Sequence, residues 1–157
     1  MNMFKALGMD MCLELPSQKF FEPNEKFFEC MKRFDKTIVD VGAGMGQVTK
    51  GLCERGHLCV GIDNNYREGQ YGYILTMDAF DYPYKKDTII LVCRPNHSGW
   101  VEDLFEETNQ TFIYVGLEHN LDIDLSSDIR SDMKLLASNV GDDGENMYLL
   151  RGCYEKH

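Results

Sequence analysis

The sequence predicts an α/β domain built on a doubly wound, mostly parallel sheet with an antiparallel hairpin at its C-terminal end. Three observations carry this. The runs Thr37–Val41, Thr88–Val92 and Thr111–Val115 are rich in β-branched and aromatic residues and nearly continuous in apolar character, as strands covered on both faces are. Stretches with apolar residues at helical spacing alternate with them, the order expected of strand–helix–strand units that cross over into a parallel sheet. Further on, Met133–Val140 and Met147–Gly152 are separated by Gly141-Asp142-Asp143-Gly144, which has the composition of a hairpin turn.

The 157 residues fit one domain. At that length about two-thirds of the unfolded chain's surface can be buried without a metal or a disulfide. Residues 1–36 read as a helical lead-in, 37–116 as the core and 117–157 as the hairpin region. Residues 1–16 are rich in Met and carry no clear periodicity, and Pro16 and Pro23 bracket a segment with Phe20 and Phe21. Asn24 is a natural N-cap for a helix whose Phe27, Phe28, Met31 and Phe34 share one face. The first strand, Thr37–Val41, runs into a glycine-rich turn. A helix over Gln47–Arg55 follows and ends at Gly56, a natural C′ residue. Leu58-Cys59-Val60-Gly61-Ile62 is a second strand ending at Asp63, and Tyr73–Thr76 is a short third one. The fourth strand, Thr88–Val92, leads through a helix over Val101–Asn109, with apolar Val101, Leu104 and Phe105, to the fifth at Thr111–Val115. Asp122–Asp132 barely allows a helix before the hairpin.

The turn Asp40-Val41-Gly42-Ala43-Gly44-Met45-Gly46 is the most informative stretch. There the chain must leave a buried strand, bend sharply and start a helix, and glycine permits both positive φ and a close backbone approach. The free N–H groups and positive dipole end of that helix suit a polar ligand. Three spaced glycines are weak evidence alone, since loops beside helices often contain them. Between a buried strand and a helix, with an acid ending the next strand, they indicate a ligand-binding turn. A dinucleotide fingerprint needs glycine at the first, third and sixth positions, but the sixth position here is Gln47.

The spacing Asp-x-Gly-x-Gly-x-Gly resembles motif I of the class I, Rossmann-like, S-adenosylmethionine-dependent methyltransferases, and the resemblance extends from Ile38 to Val115. It implies S-adenosylmethionine as cofactor. Asp40 then resembles the acid that helps orient the methionyl part through the turn. Gly42, Ala43, Gly44 and Gly46 resemble the backbone that meets the methionyl and ribose portions. Asp63 matches the acid that accepts from both ribose hydroxyls, a task suited to a carboxylate with two acceptor oxygens. Asn64 falls beside the adenine edge, and Asp78-Ala79 matches the acid-plus-small pair that meets the adenine ring. A loop acid or N-cap is the plainer reading of Asp78.

The fourth strand exits through Cys93-Arg94-Pro95-Asn96-His97-Ser98-Gly99-Trp100. Enzymes that methylate exocyclic amines of bases carry Asn or Asp before paired prolines here. Arg94 before a single proline departs from that pattern, and Cys93 precedes the proline rather than following a pair, so no nucleophilic role is carried over to it. Ligands gather at the carboxyl ends of strands in open α/β sheets, which puts Arg94, Asn96 and His97 after the fourth strand, and His119 after the fifth, at the expected edge. Either histidine can take a proton near neutral pH, and Arg94 can hold a carboxylate or phosphate in a fork. Exposed loop histidines and an Arg94 paired with surface acids are the bland alternatives. Trp100 either packs under the helix or lines a pocket.

Bulk properties narrow the partners. Twenty-six acidic residues against 16 basic ones give a net charge of -10, and affinity for phosphate backbones rests on Lys and Arg. A small-molecule or protein acceptor therefore ranks above nucleic acid. The six cysteines show no two-residue spacing, so no metal site or redox pair is expected. With neither a signal peptide nor an apolar run of about 20 residues in view, a cytoplasmic protein off the membrane is expected. The short chain suits a small acceptor, or one delivered by a partner subunit or a second copy. Two functions follow: a methyltransferase, or a methyltransferase-like module that binds the cofactor or a partner without catalysis.

Overall fold

A computed structural model describes residues 20–96 and 99–152. Five strands run parallel: β1 (Thr37–Val41), β2 (Cys59–Asp63), β3 (Ile74–Thr76), β4 (Thr88–Cys93) and β5 (Thr111–Gly116). Two more, β6 (Lys134–Ala137) and β7 (Asn146–Arg151), complete a seven-stranded sheet in the order β3-β2-β1-β4-β5-β7-β6. β7 pairs antiparallel with both β5 and β6. The doubly wound, mostly parallel sheet with an antiparallel C-terminal pair is the one the sequence predicts.

The unbroken apolar character of the central strands has a simple cause: both sheet faces are covered. Ile38, Ile89, Leu91, Ile113 and Val115 point to a face packed by α1 (Glu25–Met31) and α2 (Gln47–Glu54). Val39, Val41, Ile90, Val92, Phe112 and Tyr114 point to the other, packed by α3 (Trp100–Glu107), α4 (Leu121–Asp124) and α5 (Ser127–Asp132). Asn24 caps α1 by accepting from the Lys26 N–H at 2.9 Å. At the end of α2, Gly56 lies at φ +89, with the Gly56 N–H on the Cys53 carbonyl and the His57 N–H on the Leu52 carbonyl, a Schellman motif.

Three expectations need correction. α3 starts at Trp100 and stops at Glu107, where the Thr108 hydroxyl turns back onto the Leu104 carbonyl at 2.8 Å. The segment expected to hold barely one helix holds two short ones, the second capped by Ser126. The terminal hairpin is not a tight one. Residues 138–145 form a long connection in which buried Glu145 draws its backbone inward, the Asn24 N–H bonds the Val140 carbonyl at 2.9 Å, and Pro23 bridges to Gly141. The connection thus closes over the lead-in rather than simply reversing the chain.

Candidate functional site

The strand order reverses between β1 and β4, and adjacent to that point a cavity of about 330 Å³ opens at the carboxyl ends of the strands. Its size falls in the range of small-molecule sites. Each element contributes where it leaves the sheet. Val41 and Gly42 come from β1, Ile62 and Asp63 from β2, Met77 to Phe80 from the segment after β3, Pro95 and Asn96 from the exit of β4, and Trp100 from the start of α3. Phe20, Asn65 and Arg67 complete the wall.

The turn after β1 is left-handed at all three glycines, with φ of +74, +61 and +93 at Gly42, Gly44 and Gly46. Only Gly42 borders the cavity. A Cβ on Gly44 would lie 2.5 Å from the Phe20 ring, so that ring packs directly against the turn. Gly46, the N-cap of α2, has Tyr71 and Ile74 against its bare side, and Ala43 is buried against β2. These three shape the turn without reaching the cavity.

Two strand-ending acids fix this geometry. Asp63, 7% exposed, accepts from the Gly44 N–H at 2.8 Å with one oxygen and from the Asn65 N–H at 2.9 Å with the other. Each oxygen keeps a further lone pair, and the carboxylate forms part of the cavity wall. Asp40, 2% exposed, lies on the same sheet face two residues deeper, beside Gly61 in the register, and accepts from the Thr49 hydroxyl at 2.8 Å, tying β1 to α2. Burial pushes the Asp40 carboxyl up to about 6; the Thr49 hydrogen bonds pull the other way, and the Asp63 charge adds a smaller upward push. Asn64 and Ala79 lie in the wall. Asp78 does so too while capping the following turn at the Phe80 N–H, 2.8 Å away, as the plainer reading expects.

The candidates for catalysis separate. Asn96 is in the wall, and its side-chain oxygen accepts from the Trp100 indole at 2.7 Å; Trp100 both begins α3 and lines the cavity. Arg94 turns away. Its backbone is left-handed at φ +50, and its guanidinium meets Asp143 at 3.0 Å and buried Glu145 at 2.8 Å, fastening the β4 exit to the β6–β7 connection. His119 sits exposed on a one-turn helix after β5 and takes no part in the wall. His97 lies outside the described residues. Burial, with the Asp40 charge second, pushes the Cys93 thiol well up, which suits a neutral side chain rather than a nucleophile.

No protein-family model matches the sequence, and no curated protein matches it. Solved structures match in architecture. Magnesium protoporphyrin IX methyltransferase from Synechocystis PCC 6803, with bound S-adenosylmethionine, superposes with a TM-score of 0.55 over 84% of this chain and 76% of its own at 11% identity. A S-adenosylmethionine-dependent methyltransferase from Aquifex aeolicus gives 0.51 over 94% and 96% at 16% identity. For the 23S rRNA methyltransferase ErmE the values are 0.54 over 86% and 70% at 12%. The chain has the class I methyltransferase fold. At such identities the likeness is one of architecture, and the chemistry must be argued from this chain's own side chains. What separates the methyltransferase fold here from an all-parallel sheet is the antiparallel β7 between β5 and β6.

Sequence reasoning missed Phe20, Asn65, Arg67 and Phe80 in this cavity wall. Phe20 precedes the turn it covers by more than 20 residues, and nothing local ties the two. Arg67 sits in an irregular connection where periodicity is silent. Its nearness in sequence to the strand-ending Asp63 was the only available signal.

Proposed function

We propose that this chain is a methyltransferase that binds S-adenosylmethionine in the cavity between Gly42 and Asp63. The observation that carries the reading is the Asp63 carboxylate: it is anchored by two backbone N–H groups, presented to a small-molecule-sized cavity, and still able to accept two more hydrogen bonds. A vicinal diol offers the two donors that such a carboxylate takes. Around it the wall alternates polar and apolar groups. Asp78 and Asn64 offer acceptors to an amino-bearing base, while Ile62, Met77 and Ala79 offer it flat apolar contact.

S-adenosylmethionine supplies an electrophilic methyl group on a sulfonium, a good leaving group. The chain's own work is then alignment and exclusion of water, which carry much of such a reaction. Trp100 and Asn96, locked to each other at the β4 exit, are placed to form the acceptor side of the cavity, and the Trp100 face favours a cation. His97 is proposed as the proton acceptor for a nucleophile that arrives protonated; His119, outside the wall, is not. The acidic chain favours a small-molecule or protein acceptor over nucleic acid. One observation favours a second reading, a cofactor-binding module without turnover: Arg94, the strongest cation at the β4 exit, is engaged with Asp143 and Glu145.

Calorimetry and a methyl-donor turnover assay on metabolites and proteins separate the cases. Wild type should bind S-adenosylmethionine, and Asp63→Ala should bind it more weakly by about 1.5–3 kcal/mol, the scale for hydrogen bonds to a charged group. Unchanged affinity in a folded Asp63→Ala removes this residue from the site. Binding without turnover across the panel selects the second reading.

A further inference from the structure

Arg67 is an unusual cation for this site. It lies in the cavity wall four residues beyond Asp63, and its Nε is buried with no hydrogen-bond partner. Among the described residues no carboxylate pairs with it, although acids outnumber bases in this chain. Its guanidinium stands 5.3 Å from the centroid of the Phe20 ring, which itself rests on Gly44. Phe20 thus touches both the glycine turn and the Arg67 guanidinium. The loop beneath it is fixed: the Gln70 side chain donates to the Gly44 carbonyl at 2.8 Å, and the Tyr71 N–H to the Met45 carbonyl at 3.0 Å. An arginine with no hydrogen-bonded acid, on an anchored loop in a cavity wall, is a cation that awaits an anion.

We infer that Arg67 is the anion receptor of this site and binds the α-carboxylate of the cofactor's methionyl group, an inference that rests on the cavity being the cofactor site. The two terminal nitrogens of arginine, one N–H from each, match the two oxygens of a carboxylate end-on. A phosphate is less well suited, because Asp63 and Asp78 stand in the same wall and would repel a dianion. An α-amino acid end carries its own ammonium beside the carboxylate, so as a whole it is neutral and the wall's acids do not repel it. Phe20 holds the guanidinium through its ring face, so the fork is oriented before the ligand arrives.

Calorimetric titrations with S-adenosylhomocysteine, 5′-methylthioadenosine, which lacks the amino-acid end, and adenosine 5′-monophosphate test this on the full chain and its Arg67→Gln and Arg67→Lys variants, with thermal melting to verify folding. Arg67→Gln should weaken S-adenosylhomocysteine by about tenfold or more, the effect of one lost charge-assisted contact, and change 5′-methylthioadenosine less than about twofold. Arg67→Lys, which keeps the charge without the fork, should recover part of the loss. Equal losses for both thioethers, no loss for either, or a loss confined to the monophosphate would overturn the carboxylate assignment. If wild type binds S-adenosylhomocysteine and 5′-methylthioadenosine equally, Arg67 has no such role and the cofactor reading stands. If it binds neither, both fall.

Discussion

A carboxylate that ends a parallel strand can serve the ligand or the fold, and Asp63 and Asp40 divide those tasks. Asp63 faces the cavity and holds the turn by its backbone, whereas Asp40 is sealed behind it with only Thr49 to satisfy it. The folded protein keeps the Asp40 proton up to about pH 6, while an ordinary aspartate releases it near 3.8. The penalty for a buried charge is therefore absent below about pH 4, grows between 4 and 6, and is fully present above 6, so this residue lowers stability as pH rises through that window. The span corresponds to on the order of 3 kcal/mol. Urea unfolding of wild type and Asp40→Asn from pH 4 to 7.5 should show wild type losing more stability on the way up; parallel profiles would mean that Asp40 stays solvated. Both acids were legible in the sequence because strand-ending acids next to a glycine turn form a local pattern. Their division of labour was not, since it depends on the register that sets Asp40 beside Gly61, two residues deeper in the sheet than Asp63, and that register is written in neither strand alone.

At the scale of elements, Gly61 shows what a local pattern leaves out. In sequence it is an unremarkable glycine inside a strand. In the structure a Cβ there would lie 2.3 Å from Ile74, 2.7 Å from the Thr49 hydroxyl and 2.8 Å from Ala43, so β2, β3, α2 and the glycine turn all converge on it. Gly61→Ala should lower unfolding free energy by about 1–3 kcal/mol, the usual scale for overpacking, and weaken cofactor binding with it; denaturant melts and titration of the same preparation check both. A variant as stable as wild type would show that β3 moves aside freely. The five parallel strands were legible because burial on both faces leaves an apolar run that needs no partner to be recognised. Short helices were not: α4 and α5 span 4 and 6 residues, too few turns to establish a period. The connection between β6 and β7 escaped as well, because its shape depends on Glu145 meeting Arg94, a pairing some 50 residues apart.

For the whole molecule, the sheet order follows from which strands meet across long distances, and only part of that was written locally. A parallel core and an antiparallel end were readable; the insertion of β7 between β5 and β6 was not, since a hairpin can dock through either strand. No helix among the described residues is long and apolar enough to cross a membrane. The methyltransferase fold brings a glycine turn, an anchored carboxylate and the exit of β4 to one edge. The most direct test is a crystal structure of the protein soaked with S-adenosylhomocysteine. Density is expected in the cavity beside Gly42, with the ribose hydroxyls on the Asp63 carboxylate. A ligand bound elsewhere, or an Asp63 whose partners remain solely the Gly44 and Asn65 N–H groups, would contradict it.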